Sequence, residues 1–209
     1  MRLMHVDASP KGEKSNSRTL ARFFVGLLQD RMPCLDVDYL DLTVETPPHV
    51  TREFAEATYT PRDQRTAEMI VILSTSDALC SRLLAADSLL FAMPMYNWSM
   101  PSTFKAFVDA IVRGGVTYVL TPDGKHEGRL SNKKVLFLTS RGVDLRPGSP
   151  WAAMDALTPA LRSAFGFLGV TDPRFVDAQP MQFAEEEARA AGIERAKAEL
   201  VAVAEAWAS

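Results

Sequence analysis

The 209 residues are 47% apolar and 23% charged, an ordinary globular composition that suffices for one full core, so a single domain over residues 1–209 is expected. A net charge of −3 creates no field for polyanions, and no basic run could neutralise a row of phosphates, which argues against a nucleic-acid partner. No apolar stretch reaches bilayer-spanning length, and Met1 to Val6 runs into a strand-like segment rather than a charged region followed by an apolar one, so a cytoplasmic chain with no membrane contact is expected.

Arg2 to Val6 reads as a strand, and Asp7-Ala8-Ser9-Pro10-Lys11-Gly12 as the loop that leaves it. Leu20, Phe23, Phe24, Leu27 and Leu28 then recur at helical spacing, with Ser15, Asn16 and Ser17 as capping residues at the start. Leu35 to Leu42 alternates apolar and acidic residues, the pattern of a strand with one wetter face. The connection from Thr46 to Arg62, which carries Pro47, Pro48 and Pro61, leads into a helical pattern through Met69, Ile70, Leu73, Leu83 and Leu84. Cys34 and Cys80, the only two cysteines, each lie in an apolar neighbourhood where buried free thiols are common; a reducing compartment fits, and a bridge stays open.

Ser88 to Met93 is a continuous apolar run closed by Pro94, as expected of a central parallel strand buried on both faces. Phe104, Phe107, Val108, Ile111 and Val112 predict the next helix. Tyr118 to Leu120 and the Pro122-Asp123-Gly124 turn suggest a small hairpin, followed by a buried strand at Val135 to Thr139. Leu157, Leu161, Phe165 and Leu168 mark a further helix, Arg174 to Ala178 a last strand, and Glu185 to Ala206 a last helix with Ala196, Leu200, Val203 and Trp207 on one face.

About five alternations of strand and helix predict a parallel α/β sheet with helices on both faces and right-handed crossovers. In such sheets ligands bind beyond the carboxyl ends of the strands, at the switch point of strand order. Three loops therefore matter most: Asp7 to Ser17, Met93 to Pro101 and Thr139 to Pro150. The first offers hydroxyls and free N–H groups at a helix start, which suits a phosphate, although every helix must cap its first donors in any case. Gly12-Glu13-Lys14-Ser15 fails the Walker spacing, and no G-x-G-x-x-G occurs, which disfavours an ordinary dinucleotide-binding domain. The second, Pro94-Met95-Tyr96-Asn97-Trp98-Ser99-Met100-Pro101, presents a rigid apolar surface where a flat conjugated ring could lie. In the third, Gly142 allows close backbone approach, while Arg141 could merely pair with an acid at the sheet end.

Taken together, these loops resemble the FMN-dependent NADH azoreductases within the flavodoxin-like quinone reductases, over nearly the whole chain. The resemblance rests on Asp7-Ala8-Ser9-Pro10 with Ser15-Asn16-Ser17, on Pro94 to Trp98, on Pro101 to Asp109, on Gly115-Val116-Thr117-Tyr118 and on Thr139 to Gly142. It implies a flavodoxin-like three-layer sandwich with a central five-stranded parallel sheet. It further implies that Ser9, Ser15, Asn16 and Ser17 hold the phosphate of flavin mononucleotide. Pro94, Met95, Tyr96, Asn97 and Trp98 would hold the isoalloxazine and ribityl, and Ser140, Arg141, Gly142 and Val143 the pyrimidine edge. Trp98, Leu120, Trp151 and Phe165 are then the candidate substrate residues, although Phe165 also sits at core spacing with Leu161 and Leu168. Family members are homodimers with the flavin at the subunit interface. Trp98, Val143 and Leu120 depart from the usual Phe, Gly and aromatic residue, and a positive φ at Val143 would be strained.

The function implied is two-electron reduction of quinones and azo compounds in two half-reactions, with NADH or NADPH as donor and small aromatic molecules as acceptors. The chemistry then resides on FMN, so no catalytic side chain and no metal site are expected. His5, His49 and His126 all lie outside the three loops. The nearest rival is a flavodoxin-like electron carrier without nicotinamide-dependent activity, against which the Thr46 to Arg62 connection and the hairpin argue as possible walls of a substrate cavity. A phospho-receiver lacks its acid at Met93-Pro94-Met95, and a serine hydrolase lacks its Gly-x-Ser-x-Gly elbow.

Overall fold

The computed structural model describes residues 1–209 and alternates strand and helix along the chain. Strand β1 (Arg2–Asp7) is followed by α1 (Asn16–Arg31), β2 (Asp36–Asp41), α2 (Arg52–Tyr59), α3 (Ala67–Ala85), β3 (Ser88–Pro94) and α4 (Ser102–Ile111). A hairpin of β4 (Tyr118–Leu120) and β5 (His126–Gly128) precedes β6 (Lys134–Ser140), α5 (Leu157–Phe167), β7 (Arg174–Ala178) and α6 (Glu186–Ala208). Five strands form one parallel sheet in the order β2-β1-β3-β6-β7, and the hairpin stands apart as an antiparallel pair.

Every residue of β3 is buried, as its uninterrupted apolar run requires of a strand covered on both faces. Side chains alternate along it. Leu89, Phe91 and Met93 enter one core with Leu83 of α3, Phe104 and Phe107 of α4, and Leu161 and Phe165 of α5. Leu90 and Ala92 enter the other, where Leu20, Phe24 and Leu28 of α1 meet Ala196, Leu200 and Ala204 of α6. The sheet is thus the middle of three layers, each face sealed by helices whose apolar residues recur at helical spacing. No helix is long and apolar enough to cross a membrane.

Three expectations change. The Thr46 to Arg62 connection contains helix α2, capped by the Thr51 hydroxyl on the Phe54 N–H and burying only Ala57, too short a stripe to register as periodicity. In α3 the buried face is Leu73, Ser76, Leu79, Cys80 and Leu83, while Ile70 and Val71 face outward. Cys34 is exposed, in the turn between α1 and β2, and both cysteines are free.

Chain direction across the sheet reverses between β1 and β3: from β1 the chain moves outward to β2, then returns to β3 and continues to β6 and β7. The loops leaving β1 and β3 therefore diverge from adjacent strands, and a crevice opens between them.

Candidate functional site

Four loops meet at this crevice. The first is held at both ends. Ala8 donates its N–H to the Ala92 carbonyl, and at the far end the Ser15 hydroxyl accepts from the Arg18 N–H, closing the start of α1. The N–H groups of Ser9, Asn16 and Ser17 have no acceptor in the chain, and the Ser15 and Ser17 hydroxyls lie 3.1 Å apart. Ser9, Ser15 and Ser17 are buried beneath the crevice, whereas Asn16 lines it.

The second loop turns on two residues. Tyr96 and Ser99 exchange backbone hydrogen bonds of 3.0 Å in each direction, and the residues between them, Asn97 and Trp98, have φ of 48° and 71°. Two successive positive φ values make the tight turn usually built from Asn-Gly. A tryptophan in the left-handed region is a strained choice, of the kind that collects at ligand clamps. The Asn97 and Trp98 N–H groups have no acceptor in the chain, and the Trp98 carbonyl accepts from Ala156, which ties the turn to the start of α5. Burial pushes the Tyr96 phenol up, so this residue remains protonated at neutral pH.

Arg141, in the third loop, turns away from the crevice. Its guanidinium is buried and reaches Asp155 (2.7 Å), Asp177 (3.0 Å), Thr139 Oγ1 (2.9 Å) and Thr158 Oγ1 (2.8 Å), and its backbone N–H donates to Ala178. Burial raises the Asp177 carboxyl against the opposing pull of Arg141. Burial acts in the same sense on Asp155, but the Thr158 and Arg141 hydrogen bonds outweigh it and hold that carboxyl below the ordinary range. Val143 has no positive φ, so a side chain in place of glycine brings no backbone strain.

A cavity of about 400 Å³ collects Asn16, Pro94 to Trp98, Ser140, Gly142 and Val143 on its walls. Four further residues line it that the sequence reading did not select: Lys11, Met181, Gln182 and Phe183. The last three follow β7 and are clamped to the third loop, since Met181 donates its N–H to the Arg141 carbonyl and Gln182 and Phe183 donate theirs to that of Gly142. Their signal was positional, because the end of the fifth sheet strand borders the same edge.

A second cavity of about 760 Å³ adjoins the first through Trp98, Val143 and Phe183 and extends to Trp151. The Trp98 and Trp151 rings lie 6.0 Å apart at 24°, nearly parallel. The other two candidate substrate residues are elsewhere. Phe165 is fully buried against Phe91 and Phe137 and reaches neither cavity, because its helical stripe faces the sheet. Leu120 is 71% exposed on the hairpin.

A family described as flavodoxin-like fold matches residues 1–203. An FMN-dependent NADH:quinone oxidoreductase of Nostoc sp. is 40% identical over 203 residues, covering 96% of this chain and 98% of its own. Among solved structures, an azoreductase from Bacillus anthracis superposes with a TM-score of 0.88 at 24% identity, covering 98% of both chains. An FMN-dependent NADH-azoreductase from the same species, in complex with FMN, superposes with a TM-score of 0.87 at 18% identity over 100% of this chain and 99% of that one. At these identities the structural likeness concerns the fold.

Proposed function

The chain belongs to the flavodoxin-like fold family and has whole-length relatives named FMN-dependent NADH:quinone oxidoreductases; it is an FMN-dependent oxidoreductase, and we propose that it reduces quinones and azo compounds with electrons from NADH or NADPH. The observation that carries this reading is the crevice at the switch point, which has unpaired N–H donors at one end and a strained apolar turn at the other. That pairing suits a ligand with an anionic tail and a flat conjugated head.

The residues fit FMN. Ser9, Ser15, Asn16 and Ser17 would hold its phosphate, where buried hydroxyls, unpaired N–H groups and the helix dipole act together. Pro94 to Trp98 would flank the ribityl and ring, with the free Asn97 and Trp98 N–H groups as donors to ring heteroatoms. Ser140, Gly142 and Val143, joined by Gln182 and Phe183, would form the far wall. Arg141 would act behind that wall, holding its backbone in place through Asp155 and Asp177.

When bound, FMN supplies the two-electron exchange, accepting from a nicotinamide and delivering to a flat acceptor in separate half-reactions. The chain binds, orients and excludes water. Trp98 and Trp151 give the adjoining cavity two aromatic walls suited to a planar electrophile. A one-electron carrier would need no such cavity.

We read residues 1–209 as one domain of a cytoplasmic homodimer with flavin at the interface. Exposed Tyr59, Ile70 and Val71 on α2 and α3 support a covered surface, and two unpaired thiols fit a reducing compartment. The test is a visible absorption spectrum of the purified protein with FMN, followed by anaerobic addition of NADH and then benzoquinone. Bleaching of the flavin band and its recovery support the reading. FMN binding without reduction by either nicotinamide favours the carrier, and failure to bind flavin removes the cofactor.

A further inference from the structure

Arg18 lies in the first turn of α1, with its side chain 9% exposed, yet it touches neither cavity. Its guanidinium donates twice to one carbonyl, that of Ser9, from Nε at 2.9 Å and Nη2 at 2.8 Å. The remaining donors reach β2 and the residues after it: both Asp41 oxygens at 2.7 Å, the Tyr39 hydroxyl at 3.0 Å and Thr43 Oγ1 at 3.3 Å. Asp7 stands 3.6 Å away and accepts from the Tyr39 hydroxyl, while His5 is 3.2 Å from Asp7. The Arg18 N–H meanwhile binds the Ser15 hydroxyl. One residue therefore fastens both ends of the loop that carries the unpaired N–H groups of Ser9, Asn16 and Ser17, of which Asn16 lines the crevice.

The charge on Arg18 is already answered. Two carboxylates, Asp7 and Asp41, surround it, so little of its field is left to attract an anion beyond the loop. Buried ion pairs also contribute little net stability once desolvation is counted, which leaves the two-point grip on Ser9 as the distinctive feature. A guanidinium fork can make that grip, and an ammonium cannot.

We propose that Arg18 is the positioning residue of the phosphate loop, fixing the separation and direction of the Ser9 and Ser15–Ser17 donors so that they recognise the terminal phosphate of a phosphorylated flavin. The inference rests on the FMN reading above. It makes discrimination between FMN and riboflavin, which share the ring and differ in the phosphate, depend on a residue that contacts neither.

The experiment titrates FMN and riboflavin separately into flavin-free full-length protein by fluorescence quenching, for the unaltered chain, Arg18→Lys and Arg18→Met, with circular dichroism to verify folding. Loss of charged hydrogen bonds should weaken FMN by at least about tenfold in both variants while riboflavin changes by less than about threefold. Lys keeps the charge, so its failure to restore FMN affinity separates grip from electrostatic attraction; should Arg18→Met not fold, Arg18→Lys decides alone. Arg18→Lys binding FMN as the unaltered chain does, or both flavins weakening alike, overturns the inference. Absence of FMN binding by the unaltered protein overturns the cofactor reading itself and this inference with it.

Discussion

Trp98 holds φ at 71° with a bulky side chain, and left-handed backbone costs an ordinary residue roughly 1–2 kcal/mol. Glycine escapes that cost. Trp98→Gly should therefore be more stable than Trp98→Ala by about 1 kcal/mol in urea denaturation, although both lose the ring that faces Trp151 and should show a raised KM for planar acceptors. Equal stability of the two variants would mean that the turn relaxes when the ring is removed. The acid limit is set at residue scale too. Burial pushes the Asp41 carboxyl up, but hydrogen bonds from Arg18 and Thr43 prevail and hold it at about 2. A carboxyl held below its ordinary value adds stability that is complete above that ordinary value, near 4, and is lost as pH falls toward 2. Urea midpoints measured from pH 6 to pH 2 should decline across that window, and the decline should be shallower in Asp41→Asn.

At the scale of elements, the hairpin is seated by close backbone approach. A Cβ on Gly128 would lie 2.1 Å from the Leu168 carbonyl carbon, and Leu130 donates its N–H to the Leu168 carbonyl beside it. Gly128→Ala must push the hairpin away from the end of α5, at a cost of about 2 kcal/mol or more in the denaturation midpoint. Helix α5 begins on Asp155, whose Oδ1 accepts from the Leu157 and Thr158 N–H groups at 3.0 Å while Oδ2 meets Arg141. Asp155→Ala removes those N–H acceptors and leaves the buried Arg141 with Asp177 as its one carboxylate partner, so a loss of about 2 kcal/mol is expected, together with weaker FMN binding as the third loop loosens.

Elements with long apolar runs or clean spacing, such as β3 and α4, were legible from sequence because burial on two faces or along one stripe writes itself into residue order. Helix α2 was not, since eight residues burying only Ala57 leave no periodic trace. The role of Arg18 was not legible, and for Arg141 the acid pairing could be named only as one alternative and without its partners, for a different reason. Their partners come from other elements, Asp41 and Tyr39 for one and Asp155 and Asp177 for the other, so their burial exists only after folding.

For the whole molecule, exposed Ile70 and Val71 on α3 and Tyr59 on α2 lead to an expected solution mass near twice the 23.0 kDa of one chain by light scattering. A charged residue such as Asp at Val71 should shift the protein toward monomer while leaving the two cores intact; a monomeric unaltered chain would dismiss the dimer. The layering also has a consequence for synthesis. One face of the sheet is closed by α1 and α6 together, with Phe24 and Trp207 edge to face at 5.3 Å. Helices α1 and α6 are far apart in sequence, so while the ribosome is still extending the chain toward α6, α1 and the apolar side of β1 and β3 wait without that cover. A nascent chain in that condition is a natural client for holding chaperones, and the arrival of α6 releases it.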